Sequence, residues 1–282
     1  MTRVLSALVL LPVVIGTIWF LPPSGTLVLA LIASVLAFRE YRSIAAALGA
    51  SVPAGIGAVA VAIGCLAMWD VDQLVGDVVI NGVTQWDRGS GAGLPLVLLT
   101  AMIVVSSVVV SRGRPSPTAL ADAAVTLFAP IYLGLPLGAL AAIRNEKTDG
   151  SRQALLLLLA VIVVSDWAQY YCGRAFGRRK LSPVISPKKT VEGAIGGVVF
   201  GTLATMIGGR YVFGSPLPLL ALLGAAMSLL GIVGDLFESL LKRSAGVKDS
   251  SNLIPGHGGV LDRIDSWLFA APVYYAFVRF IA

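Results

Sequence analysis

Charge is scarce in this chain. Asp, Glu, Lys and Arg make up 13% of its 282 residues, against 57% hydrophobic residues and a mean hydropathy of +0.88. That balance excludes a soluble domain with a single anchor and describes a protein embedded along its whole length. Histidine is scarcer still, with one residue, and cysteine is limited to Cys65 and Cys172, both in apolar stretches. Neither cysteine has a metal-ligand neighbour, which argues against a zinc site and a disulfide framework. The net charge of +6 does not make a nucleic-acid binder. No basic surface interleaved with aromatics supports one, and the Lys and Arg clusters lie between apolar spans, where topology, anionic lipid or phosphate accounts for them. An internal repeat is missing, as is the inverted pair of interrupted spans that transporters show. No small-x-small cleavage site follows the first apolar run, so residues 4–21 are expected to be a retained span.

Long apolar runs are what the chain has in quantity. They fall near 4–21, 26–48, 53–69, 94–111, 118–143, 154–173, 191–213, 217–241 and 262–281, each able to cross about 30 Å of hydrocarbon. The expectation is an all-α, polytopic membrane protein of about nine transmembrane helices. The fifth run carries Pro130 and Pro136, which predict a kink or two shorter pieces. With a cytoplasmic N-terminus, all 21 Lys and Arg except Arg88, Arg144, Lys147, Arg152, Arg210 and Arg279 face the cytoplasm, the bias expected of a correct odd count. Asp70, Asp72, Asp77 and Asp87 then lie on an outward loop and read as solvated. The chain divides into an N-terminal region, 1–150, with about five spans serving as a scaffold, and a C-terminal region, 151–282, with about four. In the first region Glu40 and Asp122 are acids within or beside spans, neither clustered with others.

Chemistry collects in the second region, on the predicted cytoplasmic side. Asp166, Gln169 and Tyr170 share a helical face inside an apolar span, and an intramembrane carboxylate is a functional candidate unless it merely pairs with a neighbouring cation. Ser186-Pro187 reads as a helix start, whose free N–H groups with Lys188 and Lys189 would bind phosphate, while Glu192 holds one ammonium in place. The densest stretch is 239–265, SLLKRSAGVKDSSNLIPGHGGVLDRID, preceded by Gly234-Asp235-Leu236-Phe237-Glu238. Asp235, Glu238, Ser239 and Lys242 follow helical spacing, and Asp262 and Asp265 share a face. Asp235, Asp262 and Asp265 can supply a hard divalent cation such as Mg²⁺, and Lys242, Arg243, Lys248 and Arg263 can bind the remaining phosphate charge. The glycines around His257 allow backbone N–H groups to approach an anion. His257 itself could carry a proton, donate to phosphate or brace the loop, and the residues leave all three open.

Residues 239–265 resemble the signature of the phosphatidate cytidylyltransferase (CDP-diacylglycerol synthase) family at Ser239, Lys242-Arg243, Lys248-Asp249, Pro255, His257-Gly258-Gly259, Asp262-Arg263 and Asp265. The blocks Ser186-Pro187-Lys188-Lys189-Thr190 with Glu192-Gly193, and Gly234 to Ser239, also look like that family. So do Asp166, Tyr170 and Gly173, although Gln169 stands where a small residue is expected. The resemblance covers roughly residues 160–282 and is only general before that. It implies transfer of a cytidylyl group from CTP to phosphatidic acid, giving CDP-diacylglycerol and pyrophosphate in phospholipid biosynthesis. It further implies Mg²⁺, a second cation such as K⁺, a homodimer, and an inner-membrane protein whose active site is a polar cavity facing the cytoplasm. Asp235, Asp262, Lys242 and Arg263 would be catalytic, and Asp235, Asp262, Asp265 and Asp166 would hold metal. Ser186, Lys188, Lys189, Thr190, Arg243, Lys248, Asp249, His257, Gly258 and Gly259 would bind substrate. A transporter would explain many spans and buried acids, but not the Gly-His-Gly-Gly loop with its basic clusters on one face. A CTP-dependent polyprenol kinase would release CDP and no pyrophosphate. A structural scaffold has no use for Asp166, Asp235 and Asp262 at membrane depth.

Overall fold

The computed structural model describes residues 2–69, 102–108, 116–146, 150–254, 256 and 258–282, with side chains from residue 8 onward. Its helices are α1 (Thr2–Phe20), α2 (Pro23–Ala47), α3 (Ala54–Trp69), α4 (Ala119–Asn145), α5 (Ser151–Phe176), α6 (Val191–Phe213), α7 (Leu217–Ser244) and α8 (Leu261–Phe280), with a further helical stretch at 102–108. By length and composition, α4, α5, α6 and α7 can cross a membrane. The protein is an all-helical membrane protein, with one short hairpin among the described residues. The acidic loop around Asp70, Asp72, Asp77 and Asp87, and most of the predicted 94–111 span, lie outside the described residues.

The proline pair in α4 neither breaks it nor leaves it regular. Pro130 lacks an N–H, and the chain answers with a π turn over Pro130–Gly134 before α-helix resumes at Leu135. Two glycines around that turn let α3 approach closely: a Cβ at Gly134 would strike the Val61 carbonyl, and one at Gly138 the Cys65 carbonyl. Tyr132, at the same turn, packs edge-on against Phe237 of α7, with ring centroids 5.4 Å apart, which fixes the first half against the second. Tyr274 of α8 is fully buried and donates from its hydroxyl to the Ala154 carbonyl of α5 at 2.7 Å. Arg144 is buried too. It donates to the Ile18 and Leu21 carbonyls, satisfying the C-terminal end of α1.

The predicted helix start at Ser186-Pro187 is corrected by the structure. Ser186–Thr190 is a strand, β2, paired antiparallel with β1 (Lys180–Ser182) in the register Lys180 to Thr190 and Ser182 to Ser186. The hydroxyl that begins α6 belongs to Thr190, which has extended backbone angles and accepts from Gly193 N at 3.1 Å. Pro187 is tolerated because a two-stranded ribbon has edges that need no donor. Glu192 is corrected as well. Its carboxylate accepts from the backbone N–H groups of Arg178 and Arg179, which closes the hairpin onto the helix rather than holding a lysine.

Candidate active site

Strand β2 and helices α5, α7 and α8 meet at one end of the molecule, where two lysines each face carboxylates. Lys189 projects from β2 onto Asp235 of α7 and forms an ion pair with it, both side chains partly open to the surroundings. Asp166 of α5 and Asp265 of α8 lie within electrostatic reach of both members of that pair. Gln169 donates to Asp166 at 3.1 Å, one helical turn away on the same face. Its stem packs over Gly197 of α6, where a Cβ would collide with it, so a long residue is accommodated here by a glycine opposite. Ser266 N donates to Asp265 at 2.7 Å. Beside Asp166 a small cavity is lined by the hydroxyl-bearing Ser165, Ser228 and Ser266.

The second lysine, Lys242, is buried and pairs with both Glu238, four residues earlier on α7, and Asp262 on α8. Glu238 is fully buried. The other oxygen of Asp262 accepts from Ser250 N at 2.9 Å, Ser250 Oγ at 2.8 Å and Gly259 N at 2.7 Å. Asp262 thereby ties Ser250 and Gly259 to the first turn of its own helix. Gly258 has φ +79° and sits so close that a Cβ there would lie 2.6 Å from Asp262 Oδ2. Ile254 N donates back to Gly258 O at 2.8 Å.

The remaining predicted residues occupy the margin. Arg243 is exposed and donates to the Ile185 carbonyl at the hairpin tip and to Val247 O. Lys188, Lys248, Asp249 and Arg263 are exposed, and Ser186 is half-buried in the hairpin ladder. Thr190 is buried and its hydroxyl is engaged as the helix cap, so it sets the direction of β2. His257 and Pro255 lie outside the described residues.

As a metal site the two groups differ. Asp166, Asp235 and Asp265 offer hard oxygens from three helices, three carboxyl groups near one ammonium, the kind of donor set a divalent cation takes. Among the described residues no group of three acidic, His or Cys side chains converges tightly enough to chelate one ion as it stands. Asp262, the fourth predicted ligand, has its oxygens engaged by Lys242, Ser250 and Gly259. Reading of the sequence alone left Glu238 without a role and gave Glu40 none. Glu40 is buried and accepts from four donors around this loop. An acid at the end of an apolar span was its only signal.

The model of the cytidylyltransferase family matches residues 1–281. The phosphatidate cytidylyltransferase of Staphylococcus saprophyticus is 32% identical over 277 residues, covering 97% of this chain and 95% of that protein. That of Pseudomonas aeruginosa is 35% identical over 280 residues, covering 97% and 95%. The uncharacterized protein YnbB of Escherichia coli is 46% identical over 138 residues, covering 48% of this chain and 46% of that protein.

Proposed function

The chain belongs to the cytidylyltransferase family, and from that premise we infer that it transfers the cytidylyl group of CTP to phosphatidic acid in the membrane. A phosphate oxygen of phosphatidate attacks the α-phosphorus of CTP and forms the new P–O bond. The bond from that phosphorus to the bridging oxygen breaks, and pyrophosphate leaves. Both substrates are anions, so the first task of the protein is to relieve their repulsion. The observation that carries the reading is the Lys189–Asp235 pair in front of Asp166 and Asp265, which puts a phosphate-binding cation beside carboxylates in a partly open site.

In this reading Lys189 exchanges Asp235 for a substrate phosphate, and Lys188, Arg243, Lys248, Arg263 and Ser186 bind the remaining phosphate oxygens. Lys242 holds Asp262 and, through it, the 250–259 loop. The attacking phosphate is already ionised near neutral pH, so no strong general base is required. Asp166, Asp235 and Asp265 would hold Mg²⁺, with Asp262 at the edge of the set and a second cation such as K⁺ alongside. When bound, the metal supplies positive charge at the α-phosphorus and on departing pyrophosphate. The same reading places nine spans in the inner membrane, the site facing the cytoplasm, and the 1–150 region as scaffold and contact surface of a homodimer.

The test is pyrophosphate release from CTP by purified protein in detergent–phosphatidate micelles, with and without Mg²⁺. Release that requires both phosphatidate and Mg²⁺, with CDP-diacylglycerol appearing in step, is the expected result. CDP in place of pyrophosphate would turn the assignment towards a kinase.

A further inference from the structure

We infer that Glu40, in the N-terminal half, is a positioning residue for the transfer: it holds the 250–261 segment and the start of α8, and so sets where Asp262 points. The inference rests on the reading that this segment works in the reaction.

Glu40 lies near the end of α2 and is only 5% exposed. Its oxygens accept four hydrogen bonds from residues more than 200 positions away. Oε1 accepts from Ser251 Oγ at 2.6 Å and Val260 N at 3.0 Å, and Oε2 from Ser250 Oγ at 3.0 Å and Leu261 N at 2.7 Å. Two of these donors are backbone groups at the start of α8. The N-cap residue there is Val260, which has no side-chain acceptor to offer them. Glu40 supplies the missing cap from another helix, and its negative charge sits at the positive end of the α8 dipole.

The arrangement also reaches Asp262. The single hydroxyl hydrogen of Ser250 faces both Glu40 Oε2, at 3.0 Å, and Asp262 Oδ2, at 2.8 Å. It can donate fully to one at a time. When substrate or metal draws on Asp262, the Ser250 hydroxyl remains satisfied by Glu40, so that buried donor is not left without a partner. Gly259 makes the approach possible, because a Cβ there would strike both Ser250 Oγ and Glu40 Oε2. This assigns a purpose to the second glycine of Gly258-Gly259.

The experiment compares Glu40→Gln, Glu40→Asp and Ser251→Ala with wild type in one detergent, by CTP-dependent pyrophosphate release and by amide hydrogen exchange. Glu40→Gln turns one oxygen into a donor facing donors. Its kcat should fall on the order of 30-fold or more, with KM for CTP moving by less than about threefold, because a misaimed group loses rate before binding. Exchange should rise in 249–265 while α5 and α6 keep wild-type protection. Glu40→Asp should recover part of the rate, and Ser251→Ala should lose about three- to tenfold, as one of four anchoring bonds is gone. Glu40→Gln turning over within twofold of wild type would overturn the inference, as would exchange rising in every helix together. If Glu40→Gln does not fold, Ser251→Ala decides: unchanged exchange in 249–265 overturns the inference. An inactive wild type would sink the functional reading alone, since the exchange measurement does not depend on turnover.

Discussion

Lys189 and Lys242 look alike in sequence, each a cation near a family-like block, yet their surroundings make them opposite kinds of residue. Lys242 is buried between Glu238 and Asp262. Removing its charge leaves two carboxylates uncompensated, a loss of about 3–5 kcal/mol for a buried pair broken on one side. Lys189 and Asp235 are partly open, so losing that pair costs less than about 1 kcal/mol. Lys242→Met is therefore expected to lower the unfolding midpoint in detergent markedly and abolish turnover with it. Lys189→Met should unfold close to wild type while KM for CTP rises. Thermal unfolding monitored alongside pyrophosphate release separates the two, and a Lys242→Met protein as stable as wild type would show that the two carboxylates do not need it. Spacing along α7 was enough to put Asp235, Glu238 and Lys242 on one face. It could not reveal which lysine was buried, because burial depends on what α8 and β2 bring across.

At the level of elements, the apolar runs marked the helices well. The 191–213 run coincides with α6, and the 26–48, 53–69, 118–143, 217–241 and 262–281 runs end within a few residues of α2, α3, α4, α7 and α8. Hydrophobic length is a direct consequence of crossing or packing in an apolar medium, so it is legible without tertiary knowledge. The hairpin was not. Ser186-Pro187 and Thr190 both satisfy the local rules for a helix start, and only pairing with 180–182, plus Glu192 reaching back to Arg178 and Arg179, decides between them. Two loop glycines give the element-scale prediction. Gly246 and Gly258 both have positive φ, so alanine at either costs about 1–2 kcal/mol of backbone strain. At Gly246 the new Cβ meets open space, whereas at Gly258 it meets Asp262 Oδ2 at 2.6 Å. Gly246→Ala should keep turnover within about twofold, and Gly258→Ala should lose it by an order of magnitude or more, as expected when an active-site group is displaced. Equal rates in the two variants would mean that the position of Asp262 is not critical.

Across the whole molecule, the polar contacts of the candidate site gather at one end. Glu40 near the end of α2 reaches the start of α8, Lys242 near the end of α7 reaches Asp262, and Gly173 near the end of α5 lies against Thr190 at the start of α6. The ends of α2, α5 and α7 and the starts of α6 and α8 therefore share one side, and Arg39, Arg42, the 178–189 cations, Lys242, Arg243 and Arg263 lie with them. In the proposed orientation this basic side is the cytoplasmic face, as the bias of Lys and Arg favours. The opposite side is identified by α5, whose 26 residues span roughly 39 Å against about 30 Å of hydrocarbon. In the proposed topology Arg152 at its beginning emerges across the membrane from the hairpin that follows its end. Val184 at the hairpin tip is 87% exposed, Arg152 is exposed, Cys65 is buried and Cys172 half-buried, so labelling of an introduced cysteine reads this directly in a Cys172→Ser background, with buried Cys65 retained. Val184→Cys should resist a membrane-impermeant maleimide in intact cells and react in inverted vesicles, with Arg152→Cys showing the reverse. Both reacting from outside would mean that α5 does not cross. Val184→Cys reacting in intact cells would invert the protein and remove its site from cytoplasmic CTP, an outcome that the one-sided basic cluster argues against.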